Sequence, residues 1–141
     1  GEGEEMNYTT IQKALDTQLS IVAGIPTFTE ENARFKPSAT TPFTRSTLLP
    51  AQTVVESIGV HGIDRVNGLY QVDLYYPADQ GYTTANTMAD LVIAAFPKAL
   101  QLTTTDSIKV DVDVTWRLPA RKVQNFYNVP VIVSWKSYIS S

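Results

Sequence analysis

Residues 68–81, GLYQVDLYYPADQG, alternate before they turn. Tyr70, Val72, Leu74 and Tyr76 fall on one side of an extended chain, and Leu69, Gln71, Asp73 and Tyr75 on the other. Period-2 alternation is the mark of a β-strand with one buried face. Pro77 and the polar residues up to Gly81 end it. The first side is apolar enough to lie beneath a layer of helices. The second mixes two aromatic or aliphatic residues with an amide and a carboxylate, a composition open to a substrate pocket, a metal site or a surface that meets another protein.

The flanking segments supply the rest of the architecture. Residues 8–22 carry Tyr8, Ile11, Leu15, Leu19 and Val22 at spacings of three and four, one apolar stripe of a helix that Asn7 or Thr9 can cap and that Gly24 and Pro26 close. Residues 83–96 repeat the pattern with Met88, Leu91, Val92, Ala95 and Phe96, with Thr83 or Thr84 as the expected cap. Residues 43–59 read as a strand interrupted at Pro50, which implies an edge, a bulge or a bend. Residues 59–68 hold Gly59, Gly62, Asp64, Asn67 and Gly68 and read as a turn. SIKVDVDVTWRLP, residues 107–119, alternates most cleanly, with Ile108, Val110, Val112, Val114 and Trp116 on the expected core side. Residues 126–135 close the pattern with Val129, Val131, Val133 and Trp135, and Ile132 on the opposite side predicts that this last strand is covered on both faces. The order helix, two strands, helix, two strands predicts an α+β fold, two helices on one face of a mainly antiparallel or mixed sheet of about four strands.

The chain has 141 residues, 43% hydrophobic and 18% charged, enough for one folded domain with a real core. Residues 1–6 read as a tag remnant or frayed acidic tail, with Met6 as the expected natural start and the domain over 7–141. The formal charge is −3, and Glu2, Glu4 and Glu5 supply three negative charges, so the remainder is formally neutral. A neutral body lacks the electrostatic footprint of a nucleic-acid-binding domain. No apolar run approaches the ~20 residues that span a bilayer, and no basic segment followed by an apolar stretch predicts a signal peptide. The absence of cysteine excludes disulfides, thiolate metal sites and a thiol nucleophile and fits a reducing compartment.

Catalytic motifs are scarce. His61 is the single histidine and stands in a turn with no local nucleophile or orienting group. Asp73, Asp111 and Asp113 would hold a hard cation if their strands brought them together, but alternation alone already places them on solvated faces, with Lys109 and Arg117 in balance. No phosphate-binding glycine loop or nucleophile elbow is present. Arg117, Arg121 and Lys122 cluster beside Phe126 and Tyr127, as a phosphate contact or a solvated turn would. Aromatics near loops, among them Phe28, Phe35, Phe43, Tyr82, Phe126 and Tyr127, fit either a small core or a protein interface.

Four segments carry a family resemblance: TPFTRSTLLPAQTVVESIG at 41–59, NGLYQVDLYYPADQG at 67–81, LVIAAFP at 91–97, and the Tyr-x-Val-Pro-Val of residues 127–131. In this order and at this total length they resemble the tail terminator-like proteins of long-tailed bacteriophages and prophages. The resemblance implies a non-enzymatic virion protein with no catalytic, cofactor-binding or metal-ligating residues. It implies an α+β domain that assembles into a ring, commonly a hexamer, on the head-proximal end of the tail tube. Its expected partners are other copies of itself, the tube protein and a head-completion or connector protein, with DNA passing through the hole unrecognised and no membrane involved. The expected location is the virion tail, and the host cytoplasm during assembly. The 25–43 loop, the 59–67 turn and the 117–128 connection are the expected contact regions, with Arg34, Phe35, Arg45, Arg121, Phe126 and Tyr127 as the candidate interface residues. The alternatives are another head–tail connector or neck protein, and a small-molecule or metal-binding domain built on Asp73 and Asp111.

Overall fold

A computed structural model describes residues 8–26, 28–30, 41–55, 63–80 and 82–140. The elements run α1 (Tyr8–Ser20), β1 (Phe28–Glu30), β2 (Phe43–Val55), β3 (Ile63–Pro77), α2 (Thr83–Ala95), β4 (Gln101–Thr103), β5 (Lys109–Arg117), β6 (Arg121–Val123) and β7 (Phe126–Ser140), with a short 3-10 turn at Ala78–Gln80. Among the described residues seven strands form one sheet: six follow the order β1-β2-β3-β7-β5-β4, and β6 pairs with β7 off that path. Both helices lie on one face. The α+β expectation and the mainly antiparallel sheet hold, and β1 makes the sheet mixed by running parallel to β2. The count of about four strands was too low. The additional strands β1, β4 and β6 are three residues each, too short to display a period.

The core is the one that alternation predicts for β3 and β7. Tyr70 faces Val133, Val72 faces Val131 and Leu74 faces Val129, and all six are fully buried beneath the helices. Ile11, Leu15 and Leu19 of α1, and Ala85, Met88, Ala89 and Val92 of α2, close over them. Leu91, placed on the α2 stripe by spacing, is exposed instead, because Ala85 and Ala89 let that helix sit down on its small-residue side. Tyr82, not Thr83 or Thr84, occupies the N-cap position of α2, without a side-chain cap bond. Strand β3 begins at Ile63, so most of the expected 59–67 turn is strand.

β7 runs through the centre of the sheet despite Pro130. Proline lacks the ladder donor, yet here none is missed. β6 pairs with residues 126–128 and β5 with residues 131–137, which leaves Pro130 level with the gap between them. Its carbonyl accepts the N–H of Leu118 at 2.9 Å across that gap. Ile132 is buried, as its position on the second face of this strand predicted.

β5 departs from expectation. Its register against β7 shifts between Val112 and Thr115. One extra residue inverts the parity of everything after it. Thr115 and Arg117 turn to the helix side, and Val114 and Trp116, expected in the core, are 49% and 39% exposed. The Thr115 hydroxyl donates to the carbonyl of Phe96 at 2.9 Å, a bond that valine could not make. Trp116→Ser is therefore expected to shift stability by no more than about 1 kcal/mol. A chemical denaturation curve checks it, and a loss of the ~3–5 kcal/mol of a core tryptophan would mean that the bulge is misplaced.

Candidate protein-interaction surface

The sheet face without helices is built from alternate residues of β2, β3 and β7. Register sets them in rows: Phe43, Tyr75 and Asn128; Arg45, Asp73 and Pro130; Thr47, Gln71, Ile132 and Trp116; Leu49, Leu69 and Ser134. Of the candidate interface residues, Arg45, Arg121 and Phe126 come together at one end of this face. Phe43 stacks on Tyr75 with ring centroids 4.4 Å apart, and Phe126 meets the Phe43 ring edge-on at 5.3 Å. Arg45 lies 6.0 Å from the Phe43 centroid, within range of a cation–π contact. Arg121 donates through Nε to Oδ1 of Asn128 at 3.2 Å, and Asn128 donates through Nδ2 to Asp73 at 3.3 Å.

Asp73 anchors this end. It is only 8% exposed, and Gln71 donates to both of its carboxylate oxygens at 3.0 and 3.2 Å. Partial burial pushes the Tyr75 hydroxyl above its ordinary pKa, and the Asp73 charge adds to this while Arg45 and Arg121 oppose it. A carboxylate, two guanidiniums and three aromatic rings thus share one patch.

The three aspartates considered for a metal are not brought together. Asp73 lies opposite Pro130 and Asp111 opposite Lys136. Pro130 and Lys136 are six positions apart along β7, which separates the two carboxylates by roughly 20 Å. Asp113 stands at the bulge. Among the described residues no three potential metal ligands cluster.

Tyr127, the neighbour of Phe126, points through the sheet to the helix side. It meets Tyr82 edge-on at 6.2 Å, and with Asn86, Arg117, Leu118 and Pro119 the two rings line a cleft of about 530 Å3. Arg117 donates there to the carbonyl of Asn86 at 3.3 Å and lies 3.8 Å from Asp90. The candidate residues therefore divide between two surfaces. Arg34, Phe35 and His61 lie outside the described residues. Phe43, Tyr75, Asp73 and Asn128 complete the first patch: Phe43 stood among the aromatics that fit a core or an interface, Asp73 and Tyr75 on the mixed second face of residues 68–81, and only Asn128 was not singled out in the sequence. Their signal was cross-strand register, which no local pattern carries.

Residues 10–135 match the model of a family described as phage tail terminator protein. The chain belongs to the phage tail terminator family. Tail terminators are structural proteins of phage tails. Two solved structures share the fold. One, of unstated function, is 21% identical with a TM-score of 0.69, over 94% of this chain and 96% of its own. The other comes from the virion of a native gene transfer agent particle and is 17% identical with a TM-score of 0.56, over 95% and 97% of the two chains. No curated protein sequence matches. Among the described residues no helix of this terminator-family chain is long and apolar enough to cross a membrane.

Proposed function

We propose that this tail terminator-family protein caps the head-proximal end of a phage tail tube as a ring, a hexamer by its family resemblance. There it stops polymerisation of the tube and offers a joining surface to a head-completion or connector protein. The observation that carries this reading is the helix-free sheet face. Among the described residues the helices cover one side only; on the other, exposed Arg121 and half-buried Arg45, Tyr75 and Phe126 surround buried Phe43, Asp73 and Asn128 at one end, and Leu49 and Trp116 are half-exposed toward the other. Arginine and aromatic side chains are those enriched at the centres of protein interfaces. A ring subunit needs two different patches, one for each neighbour, because a heterologous contact closes only by rotation. A monodisperse monomer in dilute solution remains compatible with this, since the tube end gathers copies at high local concentration.

Electron microscopy of tails assembled without the protein tests the reading. The expected result is over-long tails lacking heads, restored to normal length by adding the protein. Arg121→Glu is expected to restore length poorly with an unchanged circular dichroism spectrum, because it reverses the exposed charge of the patch. Normal joined particles in the absence of the protein would refute the role.

A further inference from the structure

We infer that ring neighbours join through the ends of their sheets, β1 of one copy adding to the open outer edge of β5 on the next. This rests on the ring proposed above. β4 covers only Lys109–Asp111 of β5. Just past it, Ala99 and Leu100 take the outward carbonyl and N–H of Val112, at 2.9 and 2.8 Å. Beyond the bulge, Leu118 donates inward to Pro130. Alternation then turns Trp116 inward as well, and points the backbone N–H and C=O of Thr115 and Arg117 outward. Among the described residues these four backbone groups have no partner. An unpaired edge of this kind templates the addition of another strand. Space is available along it: a cleft of about 270 Å3 at Thr115, walled by Ile93, Phe96 and Pro97, and the 530 Å3 cleft at Arg117.

The other end of the same sheet fits that edge. β1 pairs with β2 alone, so its far side is also unpaired among the described residues. Two outward positions on β5, Thr115 and Arg117, span three residues, and β1 is three residues long. The two ends differ, so the contact is heterologous and propagates around a ring rather than stopping at a pair. A three-residue strand makes few hydrogen bonds, so the join is weak for an isolated pair and closes where several copies are held together.

The absence of cysteine makes a direct test available. Single cysteines are placed at Phe28, Thr29 or Glu30 in one set of variants and at Thr115 or Arg117 in another. Each is checked for an unchanged circular dichroism spectrum, then mixed pairwise and oxidised mildly, both at high concentration and on tails assembled with the variants. Opposed residues of paired strands lie about 4.5–5.5 Å apart at Cα, inside the disulfide range of about 4.4–6.8 Å. The expected result is disulfide dimers in at least one β1–β5 mixture and in neither variant alone, with a chain carrying both cysteines giving a ladder that ends at the closed ring. Self-linking of Thr115→Cys would overturn the proposal in favour of a symmetric β5 pair. Rings visible on the tails with no cross-link from any pair would overturn it while leaving the ring intact. Tails without a ring of this protein would remove both.

Discussion

Gly68→Ala is expected to lower the melting temperature by roughly 10 °C, a loss of about 3 kcal/mol at this chain length. Gly68 lies in β3 opposite Trp135 of β7, on the helix side of the sheet. A Cβ built at Gly68 would stand 2.3 Å from Cζ2 and 2.5 Å from Cε2 of the indole. Trp135 is fully buried, and its Nε1 has no hydrogen-bond partner among the described residues. Shape alone therefore holds the ring in the slot that the missing side chain leaves. A rigid aromatic ring pressed against backbone cannot yield as the end of a long side chain would. The measurement is a thermal melt followed by circular dichroism, together with a double-mutant cycle. Trp135→Phe removes the indole atoms that the new methyl meets, so the double variant should recover about 1–3 kcal/mol relative to the sum of the singles. Strict additivity would show that Gly68 matters for backbone freedom and not for the indole.

That slot shows what sequence conveys here and what it does not. The alternation of Tyr70 to Tyr76 and of Val129 to Trp135 is local and strong, so both central strands and their buried faces are legible. The pairing that sets Gly68 against Trp135 joins residues 67 apart and leaves no local trace; in sequence, Gly68 reads simply as the end of a turn. The bulge in β5 is the sharper case. VDVDVTW keeps its period straight through the register shift, so parity counted from Val110 puts Trp116 in the core. Only the partner strand reveals the extra residue.

The interaction surface divides in the same way. Arg45, Arg121 and Phe126 are recognisable by type as interface residues, but they stand on three different strands. What unites them is the chain Arg121–Asn128–Asp73 and the stacking of Phe43 on Tyr75. Asn128 and Phe43 belong to it for reasons of register alone. Tyr127 could have been separated from Phe126 by alternation, since adjacent residues of a strand face opposite ways. The open edge of β5 is legible in part: a proline-containing connection after Arg117 ends the strand, but the shortness of β4, which leaves the edge uncovered, is not.

Tyr70→Phe is expected to cost about 2–3 kcal/mol at neutral pH, because it removes a buried hydrogen bond to a charged group. Tyr70 is fully buried beneath α1, and its hydroxyl donates to the carboxylate of Asp16, itself only 8% exposed. Gln12 donates to Ser46 beside them at 3.4 Å, so a small polar cluster sits inside an otherwise apolar layer. Burial pushes the Tyr70 hydroxyl well above its ordinary pKa, and the adjacent Asp16 carboxylate drives it further in the same direction. The consequence for stability has a definite sign. Below the unfolded tyrosine pKa of about 10 both states hold the proton, and the contribution of the pair is complete. As pH rises past that value the unfolded chain releases its proton while the folded chain keeps it, so stability falls. Tyr75 and Tyr76 are raised as well, mainly by burial, and add to the same alkaline loss. In the Tyr70→Phe variant the decline above about pH 10 should be shallower by up to about 1.4 kcal/mol per pH unit, the share of one tyrosine. Urea melts of both proteins between pH 8 and pH 11 measure it. Parallel curves would mean that Tyr70 gives up its proton as readily in the folded state as in the unfolded chain.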